Sequence, residues 1–196
     1  MTCSLYSAIE ERKKCKGEAG LWMNGPSNGD LLYSKKQIAG EIRRLAREIT
    51  IAYAGEELIL VVVLKGAFFF AADLARQIQL PLILEFVKLS SYRDMNSTGD
   101  VTMTKDVETS LTGKNVLIVE DIVDTGLSLA FLRERLLARG PKSLKICALI
   151  DKKERRKIEV KTDFTGLECP GGFLVGYGLD LNEKLRELPA IYELNE

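Results

Sequence analysis

The sequence predicts an α/β fold, a doubly wound and mostly parallel sheet, from three observations. Residues 58–64, LILVVVL, are an unbroken apolar run rich in β-branched side chains, the pattern of a strand covered on both faces. Such runs alternate along the chain with stretches whose apolar residues fall at helical spacing. That alternation of strand and helix predicts parallel strands joined by right-handed crossovers. The size fits, since 196 residues suit one domain with a small appendage and a 46% hydrophobic composition supplies a sizeable core.

The elements follow in order. Residues 1–29 end in NGPSNG, mix charges with Gly, Pro and Asn, and show little periodicity, so a partly ordered extension is expected there and the folded domain over 30–196. Ser34 and Gln37 form a capping-box pattern. Ile38, Ile42, Leu45, Ala46 and Ile49 then share one helical face, with Gly55 as the stop. After the strand at 58–64, Lys65 and Gly66 make a tight exit into a second helix from Phe68 to Ile78, and Pro81 opens a strand through Leu89. Ser90 to Asp106 is polar and reads as a long loop or loose hairpin, a kind of segment often used as a lid. Val116 to Val119 read as a short buried strand and Leu127 to Arg139 as a helix. Gly140 and Pro141 break the chain before a strand from Leu144 to Ile150, and from Phe164 onward short apolar pieces separated by glycines predict a small subdomain.

Composition narrows the function. Lys plus Arg and Asp plus Glu total 28 each, so no long-range basic field recruits nucleic acid. Cys3, Cys15, Cys147 and Cys169 form no C-x-x-C pair and histidine is absent, which argues against structural zinc; Cys147, in an apolar run, reads as a small core residue. No apolar h-region opens the chain and no segment is long enough to span a bilayer, so the cytoplasm is the expected compartment and no membrane partner is expected.

The chemistry concentrates in VLIVEDIVDTGLSL, Val116 to Leu129. Its flanks place Glu120, Asp121 and Asp124 on a strand-to-helix loop, and in open α/β sheets such loops lie where ligands bind. Thr125, Gly126 and Ser128 suit an anion cradle, because backbone N–H groups at a helix start favour negative charge. Acids beside an anion site need a reconciling partner, either a divalent cation or sugar hydroxyls that donate to carboxylates. The implied ligand is phosphorylated and sugar-bearing.

That stretch resembles the phosphoribosyl-diphosphate motif of the purine phosphoribosyltransferases of the hypoxanthine (hypoxanthine-guanine) type. LKG at Leu64 to Gly66, SSY with STGD between Ser90 and Asp100, DFTG at Asp163 to Gly166 and FLVGYGLD at Phe173 to Asp180 follow in the family's order. The resemblance implies a type I phosphoribosyltransferase-like sheet with a small base-binding hood. It also implies transfer of the phosphoribosyl group of 5-phospho-α-D-ribose 1-diphosphate to a 6-oxopurine, with magnesium present and pyrophosphate released.

Site residues carry over position by position. Glu120 and Asp121 match the acids that face the ribose hydroxyls and the metal. Asp124 resembles the general acid/base at the purine N7, and Asp124, Thr125, Gly126, Leu127 and Ser128 match the 5′-phosphate loop. Leu127 stands where other members have lysine, which removes one charge contact. Lys65 and Gly66 match the pyrophosphate loop, with a cis peptide implied before the lysine, and Arg186 a further pyrophosphate contact. Lys152 matches the lysine that reads the 6-oxo group, Phe173 the aromatic that stacks on the base, Leu174 its backbone contacts, and Asp180 a metal-binding acid near the base. Ser91 and Tyr92 resemble the start of a loop that closes over the reacting centre. Without the resemblance, the DKKERRK stretch reads as a solvated charge run, and that bland reading is kept for Lys153, Arg155, Arg156 and Lys157.

The expected partners are therefore small molecules, with a homodimer or homotetramer implied by the family and no nucleic acid. Two other readings compete: a regulator that senses phosphoribosyl diphosphate and binds nucleic acid on the same fold, and a pyrimidine or aminopurine transferase. Lys152 and Phe173 favour a 6-oxopurine over the last, while the order among hypoxanthine, guanine and xanthine is left open.

Overall fold

A computed structural model describes Pro26, residues 28–91 and residues 101–195, the side chain of Ser91 excepted. Two compact units emerge. The larger runs from Lys36 to Gly171, and the smaller combines the described residues before Lys36 with those from Gly172 onward.

The larger unit is a six-stranded sheet. Its strands are β2 (Leu58–Leu64), β3 (Leu82–Ser91), β4 (Val101–Lys105), β5 (Asn115–Val123), β6 (Ser143–Lys152) and β7 (Phe164–Cys169). The order across the sheet is β4-β3-β2-β5-β6-β7. All neighbours are parallel except β3 and β4, which pair as an antiparallel hairpin. Helices α1 (Lys35–Ala52), α2 (Phe68–Gln77) and α3 (Leu127–Leu137) complete the unit. α1 starts directly after Ser34, and its predicted apolar face is its buried face.

Burial on both sides explains the composition of β2. Ile59, Val61 and Val63 join Val116, Ile118, Ile146 and the α3 residues Leu129, Leu132 and Leu136 in one cluster. Leu58, Leu60 and Val62 point to the opposite face by strand alternation and are fully buried as well. Each such side chain contributes roughly 1.5–3 kcal/mol by leaving water.

The chain adds β3 on one side of β2, then returns to add β5 on the other. The carboxyl ends of β2 and β5 therefore form the topological switch point where ligands bind in doubly wound sheets. β2 and β5 pair from Leu58↔Asn115 to Val62↔Val119, whereas β5 keeps pairing with β6 through Val123↔Asp151.

The smaller unit is an antiparallel sheet in the order β1-β9-β8, from β1 (Gly29–Tyr33), β8 (Phe173–Val175) and β9 (Ile191–Leu194). Val175, Leu185 and Leu188 are its core, with Tyr192 and Leu194 packed on them. β1 pairs with β9, so the first described strand belongs with the end of the chain.

Two expectations change, and the hairpin alternative for the segment from Ser90 holds at its described ends. Phe164–Cys169 is the edge strand of the main sheet and not part of the small subdomain, which starts at Gly172; β6 offers it a parallel edge. β5 is longer than Val116–Val119, because its pairing with β6 carries it past both acids. Glu120 and Asp121 thus lie within the strand, and Asp124 alone of the three acids is on the loop. The segment from Ser90 resolves at its ends into the β3–β4 hairpin, while residues 92–100 lie outside the described residues.

Candidate active site

An open cavity of about 250 Å³ sits at the switch point, lined by Glu120, Asp121, Asp124, Thr125, Gly126 and Ser128 among others. These are predicted ribose, metal and phosphate residues, gathered by the end of β5 and the loop after it. Gly126 is left-handed (φ 80°) and caps α3. A side chain there would be strained, and its Cβ would lie 2.2 Å from the Ile158 carbonyl oxygen. The Leu127 N–H reaches the Thr125 hydroxyl oxygen at 3.4 Å. Leu127 itself does not line the cavity.

The acids differ in environment. Glu120 and Asp121 are both buried. Burial first, and the Asp121 charge second, hold the Glu120 carboxyl well above its ordinary range. Asp124 Oδ1 is buried and has no hydrogen-bond partner among the described residues, while Oδ2 lies 3.9 Å from the Arg155 guanidinium.

The exit of β2 meets the same acids. The Leu64–Lys65 peptide is cis. A Cβ on Gly66 would stand 1.9 Å from Asp121 Oδ2, so glycine is what allows that carboxylate to approach the turn. The Ala67 N–H donates to the Val63 carbonyl at 3.2 Å and the Phe68 N–H to the Lys65 carbonyl at 3.2 Å, closing the turn into α2.

Two adjacent buried carboxylates are hard oxygen donors suited to magnesium. Among the described residues no group of three or more acidic, Cys or His side chains forms a metal cage.

Lys152 ends β6 and is buried, with Nζ 3.4 Å from the Glu154 carboxylate. It does not line the cavity described above. In the smaller unit Phe173 is half-exposed and Leu174 buried. There the Arg186 guanidinium pairs with Asp180 at 2.7 Å and donates to the Gly178 carbonyl at 2.7 Å. Ser91 is the last residue of β3, and Tyr92 lies outside the described residues.

One residue was misread from the sequence. Lys153, Arg155 and Lys157 are exposed as expected, but the Arg156 side chain is only 8% exposed. Its Nε–H donates to the Asp124 carbonyl at 2.9 Å, and Nη2 reaches the carbonyls of Val123 at 3.0 Å and Lys152 at 3.1 Å. The Asp151 carboxylate completes the set. Nothing in the local pattern separates Arg156 from its charged neighbours; its burial arises because the chain after β6 turns back onto the β5 exit.

A model of the phosphoribosyl transferase domain matches residues 28–182. A hypoxanthine-guanine phosphoribosyltransferase of Aquifex aeolicus is 45% identical over 168 residues, 85% of this chain and 94% of the relative. This chain belongs to the hypoxanthine-guanine phosphoribosyltransferase family. A hypoxanthine phosphoribosyltransferase of Salmonella typhimurium is 43% identical over 165 residues, 83% of this chain and 93% of the relative. The crystal structure of a hypoxanthine-guanine phosphoribosyltransferase from Bacillus anthracis matches with a TM-score of 0.79 at 42% identity, covering 85% of this chain and 98% of that one. The cavity lies at the switch point, where open α/β sheets in general bind their ligands.

Proposed function

We propose that this protein is a purine-salvage enzyme that joins hypoxanthine or guanine to the ribose of 5-phospho-α-D-ribose 1-diphosphate, giving IMP or GMP and pyrophosphate. The observation that carries the reading is the pairing, in one cavity, of buried carboxylates with a glycine-capped helix start.

Each part has a chemical task. The N–H groups and hydroxyls of Thr125 to Ser128 bind the 5′-phosphate, with the α3 dipole adding attraction for the anion. Glu120 and Asp121 accept hydrogen bonds from the ribose hydroxyls and would hold the metal, while the resemblance gives Asp180, in the smaller unit, a metal-binding role of its own near the base. Magnesium, when bound, would neutralise charge on the departing diphosphate. Lys65 and Gly66 receive that diphosphate, and the resemblance gives Arg186, in the smaller unit, a pyrophosphate contact of its own. Positive charge grows on the ribosyl carbon as the bond breaks, so holding the base in line is worth a large part of the rate. Asp124 exchanges a proton with the purine N7, a role suited to its Oδ1, which has no hydrogen-bond partner among the described residues. The Lys152 ammonium has donors and no acceptor, so it favours a 6-oxo over a 6-amino purine. Phe173 stacks on the base, and Leu174 meets its edge through the backbone. The resemblance assigns the exclusion of water to the segment that Ser91 and Tyr92 begin, of which residues 92–100 lie outside the described residues. The family resemblance further suggests a homodimer or homotetramer in the cytoplasm. Among the described residues no helix is long and apolar enough to cross a membrane.

The test is a panel of hypoxanthine, guanine, xanthine and adenine, each mixed with protein, magnesium and phosphoribosyl diphosphate and followed by ultraviolet absorption. Nucleotide should form with hypoxanthine or guanine and not with adenine. No conversion of any oxopurine would overturn the reading.

A further inference from the structure

We infer that Arg156 is a positioning residue for the transfer reaction: it clamps the exit of β5, which feeds the phosphate loop, to the exit of β6, which carries Lys152. The inference rests on the activity proposed above.

Three of the acceptors around this guanidinium are backbone carbonyls, those of Val123, Asp124 and Lys152. A clamp on carbonyls holds the chain path itself, and here it holds the peptide immediately before and after the Asp124 side chain. The same segment adds two more ties, since the N–H groups of Lys157 and Ile158 both donate to the Thr125 carbonyl, at 2.9 and 3.1 Å. Gly126 lets them approach, because any Cβ there would meet the Ile158 oxygen at 2.2 Å and the Arg156 Cδ at 3.3 Å. The loop is therefore shaped from outside, by the residues after β6.

A role in stability alone explains this poorly. Buried ion pairs seldom add net stability, because desolvation offsets the attraction. The planar fork of arginine can satisfy several fixed acceptors at once, whereas lysine offers one rotatable ammonium. Lysine at position 156 could still neutralise Asp151, but it could not also hold the carbonyls of Asp124, Val123 and Lys152.

Arg156→Lys separates the two roles. The comparator is Arg139→Lys, which disturbs another arginine–carboxylate pair, with Asp106, that also reaches a carbonyl, that of Val107. In Arg156→Lys, kcat/KM for phosphoribosyl diphosphate should fall roughly ten- to a hundredfold, the scale expected when reacting groups are displaced by a fraction of an ångström to an ångström. Added guanidinium should partly restore Arg156→Ala. Amide hydrogen exchange at Lys157 and Ile158 should quicken in the ligand-free Arg156→Lys protein. Arg139→Lys should shift Tm without changing kcat or KM. A folded Arg156→Lys with wild-type kinetics, or with unchanged exchange at those two amides, would overturn the inference. A wild-type protein without transferase activity would instead overturn the proposed reaction, and the exchange measurement would still decide whether the clamp exists.

Discussion

Two glutamates in the same sheet, Glu85 on β3 and Glu120 on β5, expose little surface, 8% and 9%, but Glu120 lies far deeper in the protein and their carboxyls are pushed in opposite directions. At Glu85 burial alone would raise the value. The Thr109 hydroxyl, the N–H groups of Glu108 and Thr109 and the charge of Lys105 outweigh it, so the carboxyl is held below its ordinary range. The Thr109 N–H lies 2.9 Å and the Glu108 N–H 3.2 Å from its oxygens. Around Glu120 burial acts in the same sense as a second acid, Asp121, and the carboxyl is raised. The difference is in what each faces. Glu85 is met by donors the protein supplies and fastens a loop to the sheet, whereas Glu120 is met by a like charge, an arrangement that suits a ligand bringing cations or hydroxyl donors. Low exposure of an acid does not by itself distinguish structure from function; its depth and the donors around it do.

The largest effect that sharpens this contrast should come from the catalytic side. Asp124→Asn is expected to lower kcat by about 10²–10⁴-fold, the usual worth of a positioned acid/base group, with little change in Tm. Steady-state kinetics beside thermal unfolding checks this, and a kcat close to wild type would remove the proton-transfer role.

Glu85→Gln should do the reverse. Loss of a charge-assisted network should destabilise the fold by roughly 1.5–3 kcal/mol, read by urea titration, while kcat per folded molecule stays at the wild-type value. An altered kcat would mean that the two carboxylates are not functionally separate.

The smallest effect is in the pH dependence, and its sign differs between the two groups. Glu85 titrates lower in the folded than in the unfolded chain, so its stabilisation is full at neutral pH and is lost as pH falls through its folded value. Glu120 titrates higher when folded; the native state then holds the extra proton, and its contribution weakens as pH rises from the ordinary glutamate range toward the folded value. Magnesium should therefore raise Tm more at pH 8 than at pH 5, and Glu120→Gln should flatten that difference while Glu85→Gln leaves it intact. Scanning calorimetry across pH, with and without magnesium, would show it. An identical magnesium response in wild type and Glu120→Gln would break the assignment of Glu120 to the metal site.

Much of this molecule was legible from local pattern. Strand β2, the apolar face of α1 and the helix after Gly126 follow from periodicity and punctuation, because those signals are the direct imprint of burial on a repeating backbone. The cavity acids were legible as a motif, since carboxylates, hydroxyls and glycine in that order serve few other purposes. Chain pairing decided the rest. Whether β5 stops before Glu120 or runs past it depends on the edge that β6 presents, and whether Phe164 starts a subdomain or an edge strand depends on β6 again. Arg156 is the clearest case: its sequence neighbours are solvated charges, and only the return of the chain onto the β5 exit surrounds it with carbonyls. The sequence by itself determined the fold class and the chemistry of the loop, because periodicity and residue type act within a few positions. Tertiary structure alone decided which charges are buried and what they hold, because that depends on segments about 30 residues apart meeting across a sheet.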